Sequence, residues 1–266
     1  MTNTPENMKR LSEIKLFTLD MDGTIYLDET PLDGAIDFCE KLYKKDMLCY
    51  FTNNSSKNPM DYVAKLNKIG FPAERRHIIT SGDVTIAYLN KYHKGQSVFL
   101  LGTKALEESF VQGGINLSDD AEIVVVGFDM TLTYEKLERA CTLIRNGAKF
   151  YSTHPDINCP TKDGFIPDSG AICAAIELST GVKPRFFGKP CAETVEMLEL
   201  RSGLSRDKIC MVGDRLYTDI ALGKKNNMLS ILVMTGETTK EMLDKAEADN
   251  VPDLVFEKIS DIPLTE

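Results

Sequence analysis

Nowhere among the 266 residues is there an apolar stretch of about 18, the length needed to cross a bilayer. The opening MTNTPENMKRLSEIK also lacks the apolar centre of a secretion signal. Both absences predict a cytoplasmic chain with no membrane partner. Basic residues are in deficit, 31 Lys and Arg against 40 Asp and Glu, for a net charge of -9. Nucleic acid and anionic lipid would be repelled, so no nucleic-acid partner is expected. A small anionic substrate remains compatible if a local cation or lysine reverses the field where it binds. The seven cysteines form no C-x-x-C pair. Most lie in apolar periodic segments, which predicts reduced, buried thiols rather than disulfides or a metal cluster. Cys159 and Cys191, in loop-like surroundings, are the exceptions. No internal repeat or low-complexity tract stands out, and of the three histidines only His154 sits in a context suggestive of a site. His77 and His93 read as ordinary, partly exposed residues.

What the chain does contain is an alternation of short apolar runs with amphipathic stretches. The runs predict strands at Lys15–Asp20, Met47–Thr52, Ser97–Leu101, Glu122–Gly127, Lys149–Ser152, Lys208–Gly213, Ser230–Met234 and Leu254–Phe256. Helical patterns fall at Gly34–Lys45, Pro59–Ile69, Thr133–Asn146, Cys191–Ser202, Asp219–Asn226 and Thr238–Ala248. Runs such as IVVV and ILVM are apolar without alternation, the mark of parallel strands buried on both faces. Strand–helix repetition predicts an α/β fold with a parallel, Rossmann-like sheet and right-handed crossovers. Ligands of such sheets bind beyond the carboxyl ends of the strands.

Polar residues concentrate at four of those ends: Asp20 and Asp22 in LFTLDMDGTIY, Thr52-Asn53-Asn54-Ser55-Ser56, Gly188-Lys189-Pro190, and Gly213-Asp214-Arg215 followed by Thr218-Asp219. They fall before about residue 60 and after about residue 187. The intervening region is itself α/β in pattern, which predicts a second domain inserted into the first. The expected division is a core of residues 1–81 and 184–266 around an insert of residues 82–183, hinged near Gly82 and Val182–Pro184.

The four groups make chemical sense as one site. Asp20 closes a strand and can act as a nucleophile, while Asp22 in the following loop can move a proton. Asp214 and Asp219 add carboxylates, and clustered carboxylates repel unless a cation or proton relieves them. An all-oxygen ligand set favours Mg2+. Gly23 lets the backbone turn tightly. Thr52 offers a hydroxyl, the backbone from Asn53 offers N–H donors, and Lys189 balances negative charge. Together these parts suit phosphoryl transfer. Taken singly, each has a plainer reading as a cap, a turn or a solvated lysine.

The ordered set DMDGT, FTNNSS, GKP and GDRLYTDI closely resembles the haloacid dehalogenase superfamily of aspartate-nucleophile phosphatases. Within it, the chain is similar to the branch of NagD and para-nitrophenyl phosphatases, whose α/β cap is inserted between the second and third motifs. The resemblance implies Asp20 as nucleophile and Asp22 as general acid and base. It implies Mg2+ held by the Asp20 carboxylate, the Asp22 backbone carbonyl and the Asp214 carboxylate, with Asp219 in support. Thr52 and Lys189 match the phosphate-orienting groups, with Gly23 and the Asn53 backbone nearby. The implied activity is hydrolysis of a small phosphorylated metabolite: a sugar phosphate, glycerol phosphate, nucleoside monophosphate or aryl phosphate. A homodimer through the cap is also implied.

Two other readings use the same core: a mutase, and a metabolite-binding regulator without catalysis. Only about thirty residues separate Asp22 from Asn53, too few for the helical cap that such mutases carry after the first motif. Intact Asp20, Asp22, Lys189 and Asp214 weigh against the regulator. Within the insert, the polar, Pro- and Asp-rich segment Tyr151–Gly170 is the expected substrate loop, with Phe128–Thr131 second. The candidate substrate residues are Asp129, His154, Asp156 and Asp168. Here the chain departs from its relatives: His154 stands where Asn-Pro-Asp is usual, and Asp168 where Pro-Gly-x-Gly is usual.

Overall fold

The strand Leu16–Leu19 lies at the middle of a six-stranded sheet, its largely apolar residues covered on both faces. The order across that sheet is Leu254–Phe256, Leu229–Val233, Ile209–Gly213, Leu16–Leu19, Leu48–Thr52 and Ile78–Thr80. Leu16–Leu19 pairs in parallel with both neighbours, and the strands on the Ile209–Gly213 side continue in parallel. Chain order reverses direction at Leu16–Leu19, the switch point at which such sheets open a ligand crevice. In this computed structural model, residues 2–161 and 164–264 are described.

Alternate strand residues face opposite layers. Phe17, Leu19, Val212, Ile231 and Val233 pack with Phe38, Leu42 and Leu66 from the helices Ala35–Lys44 and Pro59–Lys68. On the other face Leu232 packs with Leu216 and Ile220. Fully burying one such Leu or Ile stabilises by about 2 kcal/mol relative to leaving it in water.

The chain separates into two compact units. The first comprises Met1–Thr52, Met60–Ile79 and Lys189–Glu266; the second comprises Asn53–Pro59 and Thr80–Gly188. The second has its own five-stranded sheet, in the order Arg185–Phe186, Lys149–Ser152, Ile123–Val126, Ser97–Leu101 and Asn116–Leu117, all parallel. Its core joins Val124, Val126 and Phe150 to Ala140, Ile144 and Ile176 of the helices Tyr134–Arg145 and Ser169–Thr180. A two-stranded antiparallel ribbon, Asn158–Thr161 with Gly164–Pro167, accompanies it. Among the described residues, no helix is long and apolar enough to cross a membrane.

Three sequence expectations need correction. Asn53–Pro59 clusters with the second unit rather than the core. The cause is polar: Ser55 Oγ lies 2.9 Å from Thr153 Oγ1, and Thr103 Oγ1 donates to the Ser56 carbonyl at 2.7 Å. Gly82 is no hinge residue. It lies in the first turn of the helix Ser81–Tyr92, capped by Thr80, where a Cβ would sit 2.9 Å from Leu106 Cδ1. Glycine is there for packing. Among the described residues, no disulfide joins the seven cysteines, and Cys159 and Cys191 are the two that are not fully buried. His77 is buried rather than partly exposed, its Nδ1 accepting the Glu74 N–H at 3.1 Å.

Candidate active site

The parallel register determines which side chains meet. Leu19 pairs with Val212 on one side and Tyr50 on the other. Asp20 therefore leaves the central strand opposite Gly213 and Phe51, with Asp214 and Thr52 each one residue further along the flanking strands. The Asp20 N–H still donates to the Val212 carbonyl at 2.8 Å, so the first carboxylate is fixed by the sheet itself. Thr52 is buried at its strand end.

Asp219 arrives by a different route. The segment Leu216–Ile220 forms one wide helical turn before the helix Ala221–Lys225, with Ile220 N–H reaching the Arg215 carbonyl at 3.2 Å. Such widened turns occur disproportionately at functional sites. This one carries the Asp219 carboxylate back to the strand end, where its Oδ2 accepts the Arg215 N–H at 3.1 Å. Gly213 makes room: a Cβ there would lie 2.3 Å from Asp219 Cγ.

Lys189 joins the acids. Its Nζ lies 2.5 Å from Asp20 Oδ1 and 2.6 Å from Asp219 Oδ1, with the ammonium almost completely buried. Asp214 is gripped separately: Oδ2 accepts the Glu237 N–H at 2.7 Å and Oδ1 the Thr24 hydroxyl at 3.3 Å. Gly23 adopts φ +88°, and a Cβ there would lie 2.5 Å from Asp214 Oδ2. Only glycine meets both demands.

One lysine does not balance this cluster. Burial pushes the Asp20 carboxyl up to about 8; Lys189 opposes, and Asp219 and Asp214 add to the rise. Asp214 is pushed up to about 6 by burial and by Asp219, against the Glu237 N–H, Arg215 and Lys189. For Lys189, burial favours loss of the proton, but Asp20 and Asp219 prevail and hold it above the usual lysine range. Asp22 is also raised, mainly by partial desolvation, with Lys65 and Arg215 working against it. It nonetheless reaches solvent from its loop. An acid of that kind keeps a proton longer than a free aspartate and can still exchange it with water.

Oxygens of Asp20, Asp214 and Asp219 lie within 4.8 Å of one another. The set is all carboxylate, largely buried, and carries more negative charge than Lys189 and Arg215 offset, which suits a hard divalent cation. The Asp22 side chain does not belong to this trio.

The candidates in the second unit have structural partners. Asp129 is buried; its Oδ1 accepts the Thr131 N–H and hydroxyl, and its Oδ2 pairs with Lys136 Nζ at 2.7 Å. His154 and Asp168, the two departures, touch: Nε2 to Oδ1 is 2.9 Å, with both residues buried. Asp168 also caps the helix Ser169–Thr180 at extended φ -110°, so glycine is not needed there. Asp156 accepts the Asn53 side-chain amide at 3.2 Å. Gly170 is retained because a Cβ would lie 2.3 Å from the Pro155 carbonyl.

Sequence reasoning missed the loop Thr235–Thr238, which supplies the Glu237 contact. Its signal was present: MTGET follows an apolar run at the same sheet edge.

Known proteins resemble this chain along most of its length. The family profile described as haloacid dehalogenase-like hydrolase matches residues 17–116, and one described as HAD-hydrolase-like matches residues 186–262. An acid sugar phosphatase of Staphylococcus saprophyticus is 36% identical across 95% of this chain and 98% of its own length. The crystal structure of a 4-nitrophenylphosphatase from Thermotoga maritima superposes with a TM-score of 0.90 at 46% identity, covering 94% of this chain and 97% of that one. A glycerol phosphate phosphatase from Mycobacterium tuberculosis, solved in complex with magnesium, gives a TM-score of 0.88 at 27% identity over 95% and 77%.

Proposed function

Since the chain belongs to the haloacid dehalogenase-like hydrolases and is a phosphoric monoester hydrolase of the NagD and 4-nitrophenylphosphatase kind, we propose that it hydrolyses small phosphate monoesters through an aspartyl-phosphate and depends on Mg2+. The observation that carries this reading is Asp20, at the end of the central strand, in contact with Lys189 and grouped with Asp214 and Asp219. The relatives' names point to sugar, aryl and glycerol phosphates as the substrate class.

An Asp20 carboxylate oxygen attacks phosphorus, and the bond from phosphorus to the ester oxygen breaks. Asp22 gives its proton to the departing alkoxide, so an alcohol leaves. Asp22, now a carboxylate, takes a proton from water as that water attacks the phosphorus of the aspartyl-phosphate. The bond to Asp20 breaks, inorganic phosphate departs, and both aspartates return to their starting states. Thr52 and Lys189 orient the phosphoryl oxygens, with Gly23 allowing close approach of the backbone. Bound at Asp20 and Asp214 with Asp219 in support, Mg2+ would neutralise charge on carboxylates and phosphoryl oxygens alike. That neutralisation matters because Asp20, raised to about 8 by its surroundings, must be ionised to attack.

The test is phosphate release across a panel of sugar, glycerol, nucleoside and aryl monophosphates, with and without EDTA. Turnover that stops with EDTA and returns with Mg2+ is expected. Turnover indifferent to EDTA removes the cation, and no turnover of any ester removes the reading.

A further inference from the structure

Asp214 is held by a loop that no motif announced. Glu237 donates its backbone N–H to Asp214 Oδ2 at 2.7 Å. Thr238 donates both its hydroxyl, at 2.5 Å, and its N–H, at 3.2 Å, to the Asp214 carbonyl. Thr235 Oγ1 donates to the Gly23 carbonyl at 2.7 Å, tying the same loop to the turn after Asp22. Between them, Gly236 passes so close that a Cβ would lie 2.0 Å from Asp214 Oδ2. The loop therefore sets the position of the carboxylate, and its own position has to be set by something else.

That something is visible. The Glu237 carboxylate lies 3.0 Å from Arg215 Nε, and Tyr217 donates its hydroxyl to the same oxygen at 3.2 Å. Arg215 follows Asp214 directly in the chain, and its N–H is fixed by Asp219 at 3.1 Å. The connection is thus closed: the Arg215 guanidinium pairs by charge with the Glu237 carboxylate, without an aligned Nε–H hydrogen bond, and the Glu237 backbone N–H holds Asp214. The Arg215 guanidinium is mostly buried, whereas the Glu237 carboxylate is exposed, so the pair is screened on one side only.

We infer that Arg215 and Glu237 form a clasp that positions Asp214, and so sets how tightly this chain holds its divalent cation. Neither residue touches the reacting atoms in this role; Glu237 acts through the Asp214 carboxylate, and Arg215 acts through Glu237 as well as by its charge beside Asp20 and Asp214. The inference rests on the cation reading above and adds to it. Partners that orient a metal ligand typically change metal affinity about tenfold or more when removed.

The test titrates Mg2+ alone, by calorimetry, into the purified full chain without substrate. Wild type, Glu237→Ala, Arg215→Ala and the double variant are compared, each with its thermal midpoint. Each single variant is expected to bind Mg2+ about tenfold more weakly, and the double no more weakly than either, because both break one clasp. Glu237→Gln, which retains an acceptor for Arg215 and Tyr217, should recover most of the affinity. At saturating Mg2+, kcat should return towards the wild-type value. Unchanged affinity in both single variants overturns the inference, whatever the thermal midpoints do. Losses that multiply in the double variant overturn it too, since the residues then act independently. If the alanine variants fail to fold, Glu237→Leu and Arg215→Met, which keep side-chain bulk but break the clasp, carry the same comparison. Failure of the wild type to bind Mg2+ brings down the cation reading itself, and the clasp with it.

Discussion

Two buried clusters of ionisable side chains, one in each unit, look alike in composition and differ in how well they are satisfied. In the first unit, Asp20, Asp214 and Asp219 crowd together with Lys189 as their shared ammonium. Burial and repulsion push Asp20 and Asp214 well above the ordinary carboxylate range. In the second unit, His154, Asp156 and Asp168 also lie within 4.8 Å of one another. There, however, the groups are matched: His154 with Asp168, Asp168 with the Ser169 N–H at 2.6 Å, Asp156 with the Asn53 amide. The His154 Nδ1 completes the network with the Thr153 hydroxyl at 2.9 Å. A buried network whose members all have partners specifies structure, whereas one left short of charge awaits a ligand. The contrast favours the first cluster as the seat of the proposed chemistry, without reference to any motif.

Asp20→Asn gives the sharpest break. Turnover should fall by about 100,000-fold, because amide nitrogen and oxygen cannot replace the nucleophile. Stability of the metal-free protein at pH 7 to 8 should hold or rise, since an uncharged isostere removes a buried carboxylate that its neighbours disfavour. Phosphate release and thermal melting of the same preparation decide it. A large loss of stability would mean that the carboxylate is structurally matched, as in the second unit, and the contrast would collapse.

His154→Ala should do the reverse. Removing the imidazole leaves the buried Asp168 carboxylate with little beyond the Ser169 N–H, at a cost of about 3 kcal/mol. The loss should appear in urea unfolding and as weaker amide-exchange protection along Ser169–Thr180, the helix that Asp168 caps. Undiminished protection would show that the pair is dispensable to the scaffold.

How much of this was legible in the sequence depends on how local each signal is. The buried parallel strands were readable within a residue or two because both faces are apolar, as in IVVV at Ile123–Val126. Asp20 and Asp214 followed from them, since a strand's end fixes where the next side chain goes. The ribbon Asn158–Thr161 with Gly164–Pro167 was read as loop: its strands are largely exposed and carry Pro160, Pro167 and Asn158, so no apolar period marks them. The helix Ser81–Tyr92 was missed because Gly82 read as a hinge, although Thr80 and Asp83 form a capping box there. Pairings were beyond sequence altogether. Nothing in the spacing of His154 and Asp168 says that they touch, and Glu237 reaches Asp214 only because adjacent parallel strands end together.

The smallest expected effect concerns pH. In the unfolded chain Asp20 and Asp214 titrate near 3.8, whereas in the folded, metal-free chain they titrate near 8 and 6. Between these values the folded state binds more protons than the unfolded one, so stability falls as pH rises from about 4 to about 8. Lys189 does not cancel this trend. Its folded value is raised, so its contribution is fully present below the ordinary lysine range and is lost only at more alkaline pH. The thermal midpoint of EDTA-treated protein should therefore drop across that interval. Mg2+ should raise the midpoint more at pH 8 than at pH 5.5, because its ligands must be ionised to bind it. Asp20→Asn should flatten the metal-free slope, and His154→Ala should lower the whole curve while leaving the Mg2+ increment in place. A wild-type curve that is flat without metal, or equally raised by Mg2+ at both pH values, would mean the first cluster is as well satisfied as the second.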